Sequence, residues 1–378
     1  AQLSDAEIIG ASTLYHKDAI GLYEQLLARP QKNTQVDRVL YQLARAYEST
    51  GQNDRALSTL NTLVADYPNS AVLDEAQFRR GEMLFMRKAW VEAAEAYAAV
   101  VAAGNRSSFY QQSLYKFGWA QFKLADYDRS NAAFLTLLDM RLTGSDAEAL
   151  TAQLDAMSRP DRELVDDTLR VLSLTFSYLD GGATLAAQLD VRESTVYSYL
   201  LYTSLGELYL EKERYLDAAE TFAAFVEQEP AHLNAPALSV QAIDAYREGR
   251  FPSLVLKAKQ DFVNAYGLDG DYWAFHEPSQ REEVLAELKS NLNDLAQYDH
   301  AQAQQTGERL AYEKAADWYR RYIDYFPNDP GTAQRSFLLG EILIELGLYR
   351  EAREAFLFAA DQHPERGRAS EAGYAALL

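Results

Sequence analysis

Residues 205–230, LGELYLEKERYLDAAETFAAFVEQEP, decide the fold of this chain, because their spacing recurs at other places along it. Counted from Gly206, a leucine lies one position before and a tyrosine three positions after. Ala218 follows at twelve positions, Phe222 at sixteen and Pro230 at twenty-four. A spacing of this kind describes one structural unit, and its recurrence indicates a repeat.

Four other segments follow the same spacing, each from a small residue that we call the anchor of its unit. The anchors that correspond to Gly206 are Ala44, Gly81, Gly118 and Gly340. The segments that follow Ala44 and Gly340 keep every offset with residues of a similar kind, including the closing proline. Those that follow Gly81 and Gly118 keep several apolar offsets but lack the proline. Agreement among five units indicates a repeat protein.

Each offset has a physical reason. A small anchor lets the first helix of a pair lie close against the second, and the alanine at offset twelve does the same from the second helix. The larger apolar residue four positions later is expected to fill the gap between adjacent pairs. Proline ends the second helix, because it cannot continue the hydrogen-bond ladder. The sequence therefore predicts an all-α solenoid of antiparallel helix pairs, each burying its apolar face against its neighbours.

This pattern resembles the tetratricopeptide repeat family, and the resemblance implies a right-handed superhelical solenoid that holds other proteins. The anchors Ala44, Gly81 and Gly118 are 37 residues apart, against the family's usual repeat of about 34. This longer variant is similar to repeats of bacterial envelope proteins, such as outer-membrane assembly lipoproteins and partners of Tol- and TonB-type systems. That resemblance implies a periplasmic or outer-membrane-associated location and leaves a cytoplasmic one open.

Breaks in the repeat divide the chain into three predicted segments. Residues 1–140 hold a degenerate first unit and three repeats, and residues 141–198 form a helical insertion. Residues 199–378 form a second array, interrupted by an aromatic, loop-like stretch at 267–278. The last ten residues, 369–378, begin a helix and stop on an apolar pair, so we expect the array to continue into a further unit.

Short sequence signals predict where helices begin and end. The predicted starts are Ser4, Ser145, Asp161 and Ser279, and the predicted stops are Pro30 and the Asp-Gly-Gly stretch at 180–182. The insertion is therefore expected to hold helices near 146–157 and 160–179, and the helix after Ser279 is expected to be long. A weaker helix pair is predicted at residues 236–265.

Charge and composition limit the classes of function. With 36 basic and 56 acidic residues the net charge is −20, so nucleic acid is a poor partner, because its affinity rests on Lys and Arg at phosphates. No apolar run approaches the length of a membrane span, and no direct membrane insertion is expected. The chain has no cysteine, and its five histidines lack metal-site spacing. We therefore predict no metal site and no cofactor, and without a catalytic motif no enzyme.

In tetratricopeptide arrays the first helix of each pair lines the concave side, so the resemblance implies a partner-binding groove there. The residue three before the anchor is aromatic in four of the five units, and the positions one and four after the anchor extend the same face. The predicted groove residues are Tyr41, Arg45, Phe78, Glu82, Phe85, Tyr115, Trp119, Phe122, Phe337 and Glu341. The family's carboxylate-gripping Lys and Asn are missing, which favours an apolar or basic protein segment as the partner.

Three alternatives to this groove stay open on the sequence alone. Tight curvature or a neighbouring helix can bury these rings as core, since aromatic residues at helical spacing are more often core than site. The chain can be a structural spacer without a groove ligand. It can also be a ligand-binding module in which the insertion, residues 141–198, and the loop at 267–278 together form a pocket.

Overall fold

The computed structural model describes residues 5–29, 35–192, 196–362 and 369–376, and of residues 5–16, 362, 369 and 370 it describes the backbone alone. The described residues form nineteen α-helices and three short 3₁₀ helices, with no strand among them. The predicted all-α fold is confirmed. The predicted helix start at Ser4, the closing prolines Pro30 and Pro364, and the chain end at Leu378 lie outside the described residues.

Backbone contacts divide the chain into two compact units. Unit 1 comprises Ala1–Thr143 and Gln153–Thr175, and unit 2 comprises Gly144–Ala152 and Phe176–Leu378. The helices within unit 1 are α1 (Asp5–Ala28), α2 (Val36–Ser49), α3 (Asn53–Asp66), α4 (Leu73–Met86), α5 (Trp90–Ala103), α6 (Tyr110–Lys123) and α7 (Tyr127–Arg141). Helices α8 (Ala147–Ala156) and α9 (Arg159–Tyr178) have residues in both units. The predicted segments 1–140, 141–198 and 199–378 stay a prediction.

Unit 2 continues the helical arrangement. Its helices are α10 (Gly182–Leu189), α11 (Ser198–Glu211), α12 (Tyr215–Gln228), α13 (Ala235–Glu248), α14 (Pro252–Tyr266), α15 (Glu282–Thr306), α16 (Arg309–Tyr325), α17 (Thr332–Glu345), α18 (Tyr349–Gln362) and α19 (Ala369–Ala375). Consecutive helices pack as pairs, and the pair predicted at residues 236–265 is formed by α13 and α14. The 3₁₀ helices are Gly104–Arg106 in unit 1, and Asp271–Ala274 and Pro278–Gln280 in unit 2.

The anchor glycines lie directly against a ring of their own helix pair. A methyl group added to Gly81 or Gly118 would come within 2.6 to 2.8 Å of the ring of Tyr97 or Phe134. Gly206 meets its offset-sixteen phenylalanine in the same way. The larger residue at offset sixteen was expected to fill the gap between adjacent pairs, and the structure shows that its ring lies against the anchor glycine of its own pair.

Small residues at offset twelve complete this close contact. Ala56, Ala93 and Ala218 have no solvent exposure. The unit anchored on Gly118 has Ser130 instead, which is also buried, and the hydroxyl of Ser130 donates to the carbonyl oxygen of Gly118 at 3.0 Å. Serine is tolerated there because its hydroxyl finds a backbone acceptor in the helix that it faces.

Among the described residues, six turns between paired helices share one backbone geometry. The residue at offset seven has a positive φ, and the next residue donates its N–H to the carbonyl five positions earlier, which is the Schellman closure of a helix. The offset-seven residues are Gly51, Lys88, Ala125, Glu213 and Gly347, and Arg250 has the same geometry in the turn between α13 and α14. Arg250 belongs to the weak pair α13 and α14, so its turn shows that this pair follows the repeat register.

Helices α8 and α9 form close to the predicted positions, but their caps differ. The side chain of Asp146, and not that of Ser145, accepts the N–H of Ala149 at 2.8 Å. At α9 the hydroxyl of Ser158 accepts the N–H of Asp161 at 3.3 Å, so Ser158 caps the helix that Asp161 was predicted to start. Both changes move the cap by a few residues, which is the usual uncertainty of sequence signals.

Two other boundaries depart from the sequence predictions. The Asp-Gly-Gly stretch at 180–182 ends α9 as expected, but α10 begins at Gly182 at once, because the positive φ of Gly181 turns the chain. Helix α15 is long, as predicted, but Ser279 does not cap it. Ser279 lies in a 3₁₀ helix, and the residue before α15 is Arg281, which makes no side-chain cap.

Candidate protein-binding surface

The predicted groove residues lie on four first helices, and we call this set the first-helix row. Its members are Tyr41 and Arg45 on α2, Phe78, Glu82 and Phe85 on α4, Tyr115, Trp119 and Phe122 on α6, and Phe337 and Glu341 on α17. The first eight belong to unit 1 and are described together. The last two belong to unit 2. Contacts within unit 1 link the row from α2 through α4 and α6 to α9.

At the α2 end, Tyr41 is buried and connects α2 to α4. Its side chain is 3% exposed, and its hydroxyl accepts the Nε–H of Arg79 at 3.0 Å. Arg79 also pairs with Glu75 at 3.3 Å and with Glu48 at 3.2 Å. Arg45 is exposed, with its guanidinium 5.9 Å from the centre of the Tyr41 ring. Tyr41 therefore forms the floor of the row, and Arg45 is its accessible group.

The α4 residues combine an aromatic face with a bound carboxylate. Phe78 stacks on Phe109, with the ring centres 5.2 Å apart. Glu82 accepts the hydroxyl of Tyr97 at 2.5 Å and the ammonium of Lys116 at 3.1 Å. Burial, followed by the Glu82 carboxylate, raises the pKa of the Tyr97 hydroxyl well above its usual value. The predicted acidic edge at Glu82 is thus bonded within the protein.

Lys116 continues this contact toward Phe85. Its Nζ lies 5.5 Å from the centre of the Phe85 ring, within the range of a cation–π contact. Phe85 is half-buried and meets Trp90 edge to face at 4.8 Å. The ammonium of Lys116 thus contacts both the Glu82 carboxylate and the Phe85 ring, and it links a polar and an aromatic residue of the row.

The α6 residues form the largest aromatic group of the row. Trp119 contacts Phe122 at 5.5 Å and the buried ring of Phe134 at 6.3 Å between ring centres. The hydroxyl of Tyr115 donates to Asp167 of α9 at 2.5 Å. Burial and this carboxylate raise the pKa of Tyr115 to about 12, so its hydroxyl keeps its proton at neutral pH.

Helix α9 contacts α6 through side chains in unit 1. Besides Asp167, it supplies Arg170, whose guanidinium lies 6.0 Å from the centre of the Trp119 ring. Sequence reasoning missed the residues that bind the row, namely Arg79, Lys116, Asp167 and Arg170. A signal was present for two of them, because Arg79 and Lys116 both lie two positions before an anchor.

A cavity of about 410 Å³ opens on the row in unit 1. Phe78, Tyr115 and Leu164 supply its apolar lining, and its two cations are paired, Lys116 with Glu82 at 3.1 Å and Arg141 with Asp161 at 2.5 Å. Further polar groups line the rest of the cavity: Asn105, Ser107, Ser108, Gln111 and Gln112. An aromatic cavity with amide and hydroxyl groups around it can take an apolar side chain and hydrogen-bond the backbone that carries it.

The two row residues of unit 2 do not belong to the lining of this cavity. Phe337 is half-buried against Phe356, with the rings edge to face at 5.3 Å, and Glu341 is exposed. The anchor glycine of this pair, Gly340, lies against the same Phe356 ring. Phe337 therefore extends the aromatic packing of its own helix pair and leaves Glu341 accessible.

Unit 2 also holds a pocket of about 600 Å³ between the start of the insertion and the aromatic stretch. Its walls come from Ser145–Glu148 and Val196 on one side, and from Phe275 and His276 on the other. The Phe275 side chain is 72% exposed at the rim. These are residues of the two segments that the alternative interpretation expected to form a pocket.

His232, His276 and the carboxylate of Glu229 also line this pocket. His232 accepts the N–H of Asn234 through Nδ1 at 3.1 Å, and Nε2 of His276 contacts the carbonyl oxygen of Ala231 at 2.8 Å. Burial, with a smaller effect of His276, lowers the pKa of His232, which favours its neutral form. Glu229 joins Asp146 and Glu148 as a carboxylate of the lining, and it accepts a hydrogen bond from the hydroxyl of Ser198 at 3.1 Å.

The described part of the chain contains no cluster of three metal-ligating side chains. None of its helices combines the length and the apolar character needed to cross a membrane.

The repeated pairs, their shared turns and the first-helix row define a helical repeat protein of the kind that binds other proteins. Residues 16–77 match the family model for the tetratricopeptide repeat, and helix pairs with the same spacing continue beyond that range. No curated protein matches the sequence.

Solved structures of the same class resemble the chain weakly. A tetratricopeptide repeat protein from Parabacteroides merdae is 13% identical, with a TM-score of 0.29, covering 91% of this chain and 100% of its own. The TPR2AB domain of yeast Sti1, in complex with pHSP90, is 12% identical, with a TM-score of 0.27, covering 90% and 98%. The C-terminal part of a repeat protein from Cytophaga hutchinsonii is 12% identical, with a TM-score of 0.26, covering 87% and 97%.

Proposed function

We propose that this chain is a protein-binding scaffold, and that the first-helix row of unit 1 takes up a segment of a partner protein. The observation that carries the proposal is the cavity of about 410 Å³ that Phe78 and Tyr115 line together. Both residues were selected by repeat position alone, and the structure brings them to one opening. A cavity between aromatic side chains is a common seat for the anchoring residue of a partner.

The chemistry of the row indicates the kind of segment that fits. Phe78, Tyr115 and Leu164 favour an apolar anchoring side chain in the cavity. Basic residues flanking that anchor would be drawn to the chain by its net charge of −20. The partner segment is therefore an apolar stretch with basic flanks, and an amphipathic helix has this composition.

The proposal is tested by changing Tyr115, Trp119 and Phe122 singly to alanine and measuring both thermal unfolding and recovery of the partner. The three rings are half-buried, so we expect a modest loss of stability and a clear loss of partner binding. Phe134→Ala is the control for a core ring, since Phe134 has no exposure, and it should cost about 3–5 kcal/mol. If all three row variants lose as much stability as Phe134→Ala, the rings are core and the row is not a binding surface.

A location in the bacterial envelope is proposed on the resemblance of the 37-residue repeat alone. In that setting the scaffold would be one component of an envelope complex. Immunodetection in periplasmic, membrane and cytoplasmic fractions of the source cells tests the location. Recovery in the cytoplasmic fraction alone would contradict it and leave the binding proposal intact.

A second function is favoured by the pocket of about 600 Å³ in unit 2, because its walls come from the two segments that interrupt the repeat. Asp146, Glu148 and Glu229 line it without an ion-pair partner in the described part of the chain, and Phe275 is exposed at the rim. A ligand with a cationic group and an apolar part matches these groups. Thermal unfolding with arginine amide and with N-acetylglutamate tests this: stabilisation by the cation alone is expected, and Glu229→Gln with Phe275→Ala should abolish it. Equal shifts from both compounds would contradict a cation site.

A further inference from the structure

A second groove runs along the second helices of unit 2, and its residues are separate from the first-helix row. Helices α12 and α14 form its walls and α13 its base, and they enclose about 660 Å³. The lining includes Ala223, Ala224 and Ala258, which are half-buried, together with the buried Ala242. Methyl side chains at these positions leave room between the helices that larger residues would fill.

The rim of this groove is acidic. Glu220 and Glu227 are exposed on α12, and neither forms an ion pair or a hydrogen bond in the part of the chain that the structure describes. The lining cation is Lys257, and it already pairs with Asp261 at 2.6 Å. Helix α12 has no lysine or arginine. The groove therefore has two exposed carboxylates without an ion pair in the described ranges, beside an apolar floor.

The carboxylates of Glu220, Glu227 and Asp261 line the same groove as Tyr246. Burial raises the pKa of the Tyr246 hydroxyl, and the negative charges of Glu220, Asp261 and Glu227 add to this effect, opposed by Lys257. The three carboxylates are thus close enough to act on one group at the base of the groove. Glu220 and Glu227 are seven residues apart on one helix, which separates them by about 10 Å along the axis.

We propose that this groove docks an amphipathic helix of a partner protein, with apolar residues on the alanine floor and basic residues seven positions apart against Glu220 and Glu227. Charge complementarity carries this choice of occupant. An acidic segment or a nucleic acid would meet uncompensated carboxylates. Basic residues seven positions apart on a partner helix are separated by the same distance as Glu220 and Glu227, because both pairs follow the α-helical rise.

Fluorescence anisotropy tests the proposal with a labelled synthetic helical peptide that has leucine and alanine on one face and lysines at positions i and i+7. The complete chain should bind it saturably and more weakly at high salt. A matched peptide with glutamates in place of the lysines should not bind. Failure of the lysine peptide to bind, or equal binding of both peptides, would overturn the proposal.

Variants identify the groove as the docking surface. Glu220→Gln combined with Glu227→Gln should weaken binding of the lysine peptide about tenfold, since two exposed ion pairs are removed. Glu95→Gln is the matched control, because Glu95 is exposed and lies at the same offset from its anchor in unit 1 as Glu220. Unchanged affinity in the double variant, or the same loss in Glu95→Gln, would overturn the proposal.

Two further measurements test whether the peptide binds at another surface and whether a second copy of this chain occupies the groove. With ¹³C-methyl-labelled alanine, the lysine peptide should shift the methyl signals of Ala223 and Ala258 and leave that of Ala93 unchanged. Shifts confined to alanines of unit 1 would overturn the proposal and point to the first-helix row. Sedimentation tests the second case. If the wild type is a dimer and the double glutamine variant is a monomer, the groove binds a second copy of this chain and the proposal of a partner helix is overturned.

Discussion

The residue at offset seven from each anchor takes a left-handed backbone conformation, whatever its side chain. Gly51 and Gly347 are suited to it, whereas Lys88, Ala125 and Glu213 adopt the same positive φ with a side chain. For residues other than glycine this conformation costs about 1 kcal/mol. The repeated hydrogen bonds of the turn hold these residues there, so the repeat retains a local strain that substitution can remove or add.

We predict opposite effects of substitution at two such turns. Gly51→Ala should lower the free energy of unfolding by about 1 kcal/mol, through backbone strain alone, since an added methyl group meets nothing within 4 Å. Lys88→Gly should raise it by about 0.5–1 kcal/mol. Urea denaturation of the two variants beside the wild type measures both. A lower midpoint for Lys88→Gly would contradict the assignment of the turn.

The contact between an anchor and its ring predicts a coupled pair of substitutions. Gly206→Ala should cost about 1–3 kcal/mol by overpacking, because the new methyl group would meet the Phe222 ring. The unit anchored on Ala44 has Leu60 at offset sixteen, and Leu60 is buried. Phe222→Leu should therefore offset part of the loss in the double variant. Strict additivity in thermal unfolding would show that the two positions do not touch.

A second overpacking variant checks the register of the repeat. Ala218→Leu should also destabilise by about 1–3 kcal/mol, since Ala218 is fully buried where the two helices meet. An unchanged melting curve would place Ala218 outside that contact and count against the register.

At the scale of elements, the turn between α16 and α17 is organised by one carboxylate. Asp329 accepts the ammonium of Lys289 at 2.7 Å, the hydroxyl of Tyr322 at 2.9 Å and the N–H of Gly331 at 2.8 Å. Partial burial would raise the pKa of Asp329, but these hydrogen bonds outweigh it and hold the pKa below its usual value. The charged form of Asp329 therefore stabilises the fold.

This carboxylate predicts a pH dependence. A depressed pKa in the folded state contributes stability above the unfolded pKa of about 3.9, and that contribution is lost as the pH falls through the folded value. Asp329→Asn should therefore cost about 2 kcal/mol at neutral pH, and the difference from the wild type should shrink below about pH 4. Denaturation midpoints at several pH values measure it. A difference that stays constant down to acidic pH would exclude a role for the charge.

The elements show how far the sequence predicts this fold and where it stops. Periodicity located the paired helices, because close packing requires a small anchor, a small residue at offset twelve and a larger apolar residue at offset sixteen, and these recur in all five clear units. The short helix α10 was missed, since the two glycines before it indicate an end and not a new start. The contact of Tyr115 with Asp167 was missed for another reason: the two residues are 52 positions apart, and α9 does not follow the offsets that reveal its neighbours.

The candidate surface was predicted in its residues but not in its bonding. Repeat position assigned Glu82 and Tyr115 to first helices, and they lie on α4 and α6 of unit 1. Position alone cannot show that Lys116 binds Glu82 or that α9 supplies Asp167, because these bonds depend on how successive helices stack. The accessible part of the row is accordingly the aromatic cavity and its polar surroundings.

For the molecule as a whole, the net charge of −20 and the aromatic first helices point to one class of partner. Like charges repel nucleic acid and anionic lipid surfaces, whereas a basic protein segment is attracted. In the proposal, the apolar cavity on the row of unit 1 is the place where the attracted segment binds. In the function that we propose, charge attracts the partner to the scaffold, and the cavity selects the side chain that binds.

Site-specific photo-crosslinking tests this central claim most directly. A photoreactive phenylalanine in place of Gln112, which is exposed at the cavity on α6, should crosslink in the source cells to one protein, through an apolar segment with basic flanks. The same group in place of Ser58, exposed on the second helix α3, is the control and should not capture that protein. Equal capture at both positions, or capture of no protein at Gln112, would contradict the account.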